Sequence, residues 1–572
     1  MLAPETLFPF QLDDFQLDAI AALNQGESVI VCAPTGSGKT LVGEYAIHRA
    51  LEMGRRVFYT TPLKALSNQK LRDFQRTFGH ENVGLLTGDN SVNRDAPVVV
   101  MTTEIFRNML YGTTIGEVGT SLRDVQAVVV DECHYMNDRQ RGTVWEESVI
   151  YCPPEIQLVG LSATVDNGGQ LTDWIDEVHG PTKLIYSDYR PVPLNFHFAV
   201  EKGIFPLLND QRSSIHPRLK NYRKPPRRQR GQKKKKAGAT LPGVGSQLRS
   251  KDMLPAIYFI FSRKGCDKSV QAVAHMTLVT AAEAELLKRR IDQFVDRNPE
   301  AIRANQLEPL YRGIAAHHAG ILPAWKSLVE ELFQAGLIKV VFATETLAAG
   351  INMPARTTVI ASLSKRTDDG HRLLHASELL QMSGRAGRRG MDTEGHVVTV
   401  ESPFEGAKEA SQLALSPPDP LVSQFTPSYG MVLNLLQIHT VEEAQALIER
   451  SFGQYLATLH LAQQRKAIEA VEKDIAILLD QLAYIDDVAV AEYEKLRGWL
   501  REEERLFKIL QQQAMESIGE SDPVAISFAM AGTVLSLKGK HVKVSTPLPA
   551  VLVSKVSGPG QFPFLVCLGQ DN

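Results

Sequence analysis

The sequence predicts an α/β protein: two tandem parallel-sheet domains, followed by a helical region and a small β-domain. Three observations lead there. Short apolar runs rich in Val and Ile alternate with stretches long enough for crossover helices, first over roughly residues 10–190 and again from Ala256 onward. Continuous apolar runs of this kind mark strands buried on both faces of a parallel sheet. Near residue 410 the alternation stops and helical periodicity replaces it. Finally, 572 residues correspond to about three to five domains at the usual domain size.

In chain order, the first domain (1–195) has strand-like runs at 28–31, 57–59, 97–100, 127–130 and 156–160. A basic insertion or linker follows (206–252). Between Gln211 and Lys251 there are 14 Lys or Arg residues and no Asp or Glu, which leaves 48 basic against 65 acidic residues elsewhere. A segment so charged and so poor in apolar residues is expected to be disordered and to attract an anionic partner. The second domain (253–410) has runs at 256–261, 338–342, 358–360 and 396–400, and a β-hairpin expected to turn at Asp368-Asp369-Gly370. From Leu461 to Ile485 apolar residues follow a heptad, and a second apolar row begins at Tyr493. This pattern predicts an antiparallel helical hairpin over 458–520. After Pro523 four strand-like runs make a partial β-domain, 524–572, with too few strands to close a barrel.

Composition narrows the class. With 44% hydrophobic and 22% charged residues the chain is of ordinary soluble type. Its five scattered cysteines include no C-x-x-C pair, which argues against a disulfide framework or a structural zinc site and suits a reducing, cytoplasmic setting. No apolar run reaches the roughly 18 residues needed to span a bilayer, and the first residues read as neither signal nor transit peptide.

The strongest chemical signal is Ala33-Pro34-Thr35-Gly36-Ser37-Gly38-Lys39-Thr40, placed between a strand and a helix. Such a loop surrounds phosphates with backbone N–H groups, supplies a lysine charge to the β- and γ-phosphates, and offers Thr40 as a ligand to Mg²⁺. Ala33 stands where a glycine is usual. After the strand 127–130 comes Asp131-Glu132-Cys133-His134. Asp131 is expected to hold Mg²⁺, and Glu132 to orient and deprotonate the attacking water of ATP hydrolysis. In the second domain, Gln381-Met382-Ser383-Gly384-Arg385-Ala386-Gly387-Arg388-Arg389-Gly390 presents guanidiniums close to backbone. Arg385 and Arg388 are expected to reach the γ-phosphate when the domains close.

Together these motifs resemble the superkiller-like branch of superfamily 2 DExH-box RNA helicases, which includes exosome cofactors. The resemblance runs from Phe8 to about Tyr455 and implies that the two α/β domains are RecA-like. It makes Gln16 the adenine reader and adds Gln381, Gly350 and Asn352 to the nucleotide site. It assigns the nucleic-acid backbone to Pro62, Lys64, Thr87, Gly88 and Thr103 of the first domain and to Ser262, Arg263 and Thr346 of the second. His134, Ser162 and Thr164 are implied to couple hydrolysis to that grip. The region 411–457 resembles a winged helix and the helical hairpin a stalk. The family's C-terminal helical domain has no counterpart, so the chain is expected to be a C-terminally truncated member.

The resemblance implies a monomeric motor, moving 3′-to-5′ on single-stranded or partly duplex RNA with ATP and Mg²⁺, and possible association with a ribonuclease or ribosome-related complex. Two rivals stay open on the residues alone: a DNA-repair helicase, because phosphate-gripping motifs do not distinguish the sugars, and a catalytically weak RNA-binding scaffold.

Overall fold

The computed structural model describes residues 4–111, 120–139, 141–220, 239–348, 353–367, 370–402, 404–437, 439–482, 487–517, 528–538, 547–558 and 563–570. They fall into two compact units, Met1–Ala462 and Gln463–Asn572.

The first α/β domain is an eight-stranded sheet. Its strands are β1 (Ser28–Cys32), β2 (Arg56–Thr61), β3 (Val83–Thr87), β4 (Asn90–Val92), β5 (Val98–Thr102), β6 (Val125–Asp131), β7 (Gln157–Ser162) and β8 (Thr182–Tyr186). The order is β4-β3-β5-β2-β6-β7-β1-β8, parallel except for β4. Every residue of β1, β5 and β7 is buried, as expected of central strands covered by helices on both faces. In this order β7 lies between β1 and β6. The phosphate-loop strand and the carboxylate strand therefore sit one strand apart, and the end of β7 projects between them.

The second sheet has seven strands in the order β10-β9-β17-β14-β11-β13-β12. They are β9 (Leu194–Val200), β10 (Gly203–Pro206), β11 (Ala256–Phe259), β12 (Ile314–His317), β13 (Val340–Ala343), β14 (Thr357–Ile360) and β17 (Gly395–Val400). The expected hairpin is present: β15 (Ser364–Thr367) pairs antiparallel with β16 (Gly370–Leu373), while Asp368 and Asp369 lie outside the described residues.

Two boundaries differ from expectation. The second sheet takes β9 and β10 from residues ahead of 253, because β9 pairs in parallel with β17 over six positions. The basic segment is not a linker throughout. Helix Leu241–Ser250, capped by the Thr240 hydroxyl, buries Val244 and Leu248 in the second domain's core. Its apolar spacing was masked by the basic composition around it. The run Arg223 to Lys236 lies outside the described residues.

Beyond the second sheet, region 411–457 contributes helices Tyr429–Leu435 and Val441–Glu449 and the start of Phe452–Leu482, with no strand among its described residues. Leu421, Met431, Leu435, Leu447 and Phe452 join Trp145 and Trp174 in the core of the first domain. In the second unit, Asp487–Ser517 is the other long helix; both long helices have 31 residues. Their described heptad positions stay exposed, from 46% at Leu461 to 67% at Phe507. The unit ends in a three-stranded antiparallel sheet, β18 (Val534–Leu537), β19 (Leu548–Val556) and β20 (Phe564–Gly569), with β19 in the middle. Among the described residues no helix is long and apolar enough to cross a membrane.

Candidate nucleotide site and strand-gripping edge

The phosphate loop leaves the buried strand β1 at Cys32, and helix Thr40–Glu52 begins eight residues later. The intervening turn depends on two left-handed glycines, Gly36 at φ +88° and Gly38 at φ +92°. At Gly38 a Cβ would be strained by the positive φ and would lie 3.0 Å from the Gln16 amide and 3.1 Å from the Arg389 guanidinium, so both side chains would have to give way. Three buried polar atoms around this loop have no hydrogen-bond partner: Ser37 Oγ, Lys39 Nζ and Glu132 Oε2. Buried polar groups are almost always satisfied, so a cluster of orphans beside the N-terminus of helix Thr40–Glu52 fits a polyphosphate.

The carboxylates stand at the end of β6. Asp131 Oδ2 accepts from the Tyr59 hydroxyl at 2.8 Å and its Oδ1 accepts from the Glu132 backbone N–H at 2.9 Å. Glu132 itself is left-handed, at φ +57°, a sparsely populated conformation for a residue with a Cβ. This twist turns its side chain towards Lys39, 3.8 Å away, and His134, 3.4 Å away. Burial alone would raise the Glu132 carboxyl, but Lys39, His134, Arg385 and Lys70 outweigh it and hold it at about 2. Burial instead prevails at Asp131, whose carboxyl is raised despite Lys70. The Lys70 ammonium stands 3.8 Å from Asp131 Oδ2 and donates to Thr40 Oγ1 at 3.3 Å. A hydroxyl and a carboxylate oxygen flanking one cation are a donor set suited to Mg²⁺.

His134, one of the residues expected to couple hydrolysis to grip, lies between the two domains. His134 Nδ1 accepts from the Ala163 backbone N–H at 3.4 Å, and its Nε2 lies 3.2 Å from the Gln381 amide of the other domain. Ser162 ends β7 with its hydroxyl buried and unpartnered, and Thr164 is half-buried beside it. One imidazole thus stands against both Glu132 and the second domain's Gln381.

The second domain's face of the cleft is less uniform than its motif suggests. Arg385 donates to Ala348 O through Nε and Nη2, at 3.1 and 2.7 Å, and its charge acts on Glu132 and Asp131. Arg388 does not reach the phosphate site in this structure. Its Nε and Nη2 hold both oxygens of Asp392 at 2.8 Å, and Arg356 binds the same carboxylate. These pairs hold the Asp392 carboxyl far below its usual range against the burial that would raise it. Arg389 is the arginine that crosses to the phosphate loop, donating to Ser37 O at 2.9 Å and to both oxygens of Asp13. Gln16 has its amide engaged at both ends, accepting from Asp13 N and donating to Gly38 O. Gly350 and Asn352 lie outside the described residues.

The residues expected to grip a strand follow the carboxyl ends of the same sheets, where ligands bind in open α/β folds. Pro62 follows β2, Thr87 ends β3 and Thr103 follows β5. Lys64 reaches from the next helix to Asp89 at 2.6 Å, beside Gly88. Pro62 and Thr103 line one cavity with Asp131, Glu132 and Arg141, so the gripping edge opens onto the carboxylates. In the second domain Ser262 caps helix Arg263–Val273, leaving Arg263 exposed at its start, and the Thr346 hydroxyl pairs with Thr344 at 2.9 Å.

Four site residues went unread in the sequence: Tyr59, Lys70, Arg190 and Arg389. Arg190 donates to Thr35 O of the phosphate loop and to Gly384 O and Ala386 O of the arginine motif, joining both faces of the cleft. Its one sequence signal is a place between two α/β domains, next to Pro191. Arg389 was visible within the quoted motif; Tyr59 and Lys70 look like a strand residue and a surface helix lysine.

Comparison with known proteins agrees with this geometry. Residues 13–171 match the DEAD/DEAH box helicase profile, 279–390 the helicase conserved C-terminal domain, and 524–572 the middle domain of cyanobacterial Ski2-like RNA helicases. The chain is 45% identical over 538 residues to a chloroplastic DExH-box ATP-dependent RNA helicase, DExH15, of Arabidopsis thaliana, covering 84% of this chain and 46% of that protein. It is 41% identical to the probable helicase HelY of Mycobacterium leprae (95% and 63% covered). Against the ATP-dependent RNA helicase mtr4 of Schizosaccharomyces pombe the identity is 36% (87% and 46% covered). The chain thus spans about half to two thirds of the length of these relatives.

Proposed function

We propose a function from one premise, that this chain belongs to the Ski2-like branch of superfamily 2 helicases: it is an ATP-dependent RNA helicase or RNP-remodelling motor that moves 3′-to-5′ on single-stranded RNA. What carries the reading is the meeting of Lys39 and Glu132, whose facing charged atoms make no hydrogen bond, with Arg385 of the opposite domain in one cleft. That cleft is continuous with the edge bearing Pro62 and Thr103.

In this reading Lys39, Ser37 and the loop N–H groups bind the ATP phosphates. Thr40 and Asp131 would hold Mg²⁺, which would supply charge that neutralises the phosphates. Glu132 is ionised at neutral pH and orients the attacking water. Phosphate charge bound at Lys39 removes part of what holds the carboxyl low, so Glu132 becomes a better base once ATP is present. Arg385 stabilises charge on the leaving phosphates, and His134 with Gln381 passes the change to the second domain. Sequence-independent contacts from Lys64, Thr87, Thr103, Arg263 and Thr346 hold the RNA backbone. The Arabidopsis thaliana and Schizosaccharomyces pombe relatives are named RNA helicases, which favours RNA over DNA. The reading places the chain in the cytoplasm as a monomeric motor, and a ribonuclease-containing or ribosome-related complex is the class of partner it would serve.

The test is ATPase stimulation by matched RNA and DNA strands, run beside displacement of duplexes with 3′ or 5′ overhangs. RNA-selective stimulation and displacement from the 3′ overhang are expected. Equal stimulation by DNA would favour the DNA helicase, and no ATPase activity the scaffold.

A further inference from the structure

Lys70 has no part in the phosphate-loop chemistry, yet its ammonium stands at the heart of it. Helix Lys64–Phe78 directs the side chain inward, leaving it 12% exposed. The ammonium lies over the rings of Tyr59 and Phe74, at 5.2 and 5.7 Å from their centroids. It reaches the two oxygens that would ligate a divalent cation, Thr40 Oγ1 at 3.3 Å and Asp131 Oδ2 at 3.8 Å. A buried ammonium is tolerated only against compensating charge, and Asp131 supplies it. Two further carboxylates, Glu44 and Asp73, are near enough for the lysine's charge to act on both. Lys39 already provides the phosphate-binding charge of the loop. A second lysine aimed at the hydroxyl and carboxylate, instead of into the phosphate cradle, has a different task.

We propose that Lys70 is a tethered counter-ion of the divalent-cation position: its ammonium neutralises Asp131 while no metal is bound, and withdraws towards Glu44 and Asp73 when a metal takes Thr40 and Asp131. The proposal rests on the ATPase reading for the identity of that position. It makes Lys70 a positioning residue that keeps Asp131 and Thr40 in place and sets a threshold for metal entry. The cation–π contacts hold the ammonium in register.

The test is Mn²⁺ binding to the nucleotide-free full chain, followed by electron paramagnetic resonance. Lys70→Met removes a unit positive charge within about 4 Å of the position and should tighten Mn²⁺ binding by about tenfold or more. Lys70→Gln, which keeps a hydrogen-bonding end, should do the same if Lys70→Met fails to fold. The gain should vanish in Lys70→Met/Asp131→Asn. Unchanged or weaker Mn²⁺ binding in folded Lys70→Met or Lys70→Gln would overturn the proposal, as would a gain that survives loss of Asp131. A parallel titration with a fluorescent ATP analogue in EDTA separates the two readings. Affinity that falls on removing Lys70 would make it a phosphate ligand and overturn the counter-ion role. Failure of the wild-type chain to bind nucleotide at all would count against the ATPase reading, while the Mn²⁺ comparison still decides the role of Lys70.

Discussion

The two faces of the cleft are built on opposite principles. On the first domain, Lys39, Ser37 and Glu132 are buried with polar atoms that accept or donate no hydrogen bond, Lys39 and Glu132 facing each other at 3.8 Å. On the second, the arginines are engaged with protein acceptors: Arg385 with Ala348 O, Arg388 with Asp392, Arg389 with Asp13. The first face waits for a ligand, whereas the second must exchange partners to meet one. In the proposed reading, such an arrangement would couple ligand arrival to domain movement, because each arginine that turned to a phosphate would give up a protein contact.

The sharpest way to break this comparison is to separate Arg385 from Arg388. Arg385→Ala should lower kcat by about 10³-fold or more with little loss of nucleotide affinity, as removal of a transition-state arginine does. Arg388→Ala should act first on stability, because it leaves the buried Asp392 carboxylate half-compensated. Breaking a buried pair costs on the order of 3–5 kcal/mol, and Arg356 retains part of the compensation here. Steady-state kinetics beside thermal unfolding distinguishes the two. A fully stable Arg388→Ala protein with the same loss in kcat would mean that Arg388 leaves Asp392 during turnover.

A second test addresses the first face. Glu132→Gln keeps the shape and removes the base, so turnover should fall by about 10²–10⁴-fold while ATP binding persists. Near-normal turnover would remove Glu132 from the mechanism.

The smallest effect concerns the polar anchor beneath the 421–456 segment. Glu146 is completely buried, accepting from the Ser423 hydroxyl and the Phe452 backbone N–H, and burial raises its carboxyl to about 7. A carboxyl raised on folding contributes stability that is fully present below its unfolded value near 4.5 and lost as pH rises through about 7. The loss amounts to about 3 kcal/mol at most. Tryptophan fluorescence is a suitable readout, since Trp145 is the neighbouring residue. Melting followed this way should show wild type destabilised between pH 5 and 8 and Glu146→Gln much less so. Parallel pH profiles would exclude Glu146 as the source.

How much was readable in advance follows from how far apart the cooperating residues lie. The phosphate loop, the Asp131-Glu132 pair and the central strands depend on consecutive residues: buried β-branched runs, two left-handed glycines, a helix start. Short-range sterics decide these, so their sequence suffices. Helix Leu241–Ser250 was missed because its two core residues are set within a basic stretch, and only docking on the second core makes their spacing count. The different fates of Arg385 and Arg388, three residues apart, depend on Asp392 and Arg356 and on what the opposite domain presents.

Lys70 and Arg190 mark the limit most clearly. Nothing local distinguishes either from a surface cation. The order β2-β6-β7-β1 brings the helix after β2 against Asp131 and Thr40, and the packing of one sheet beside the other brings Arg190 onto carbonyls from both. The sequence by itself determined the fold class and the chemistry-bearing motifs, because both are written in local backbone preference and residue type. Which charges face one another was decided by tertiary structure alone, because electrostatic pairing depends on distance in space, and strand order sets that distance independently of separation along the chain.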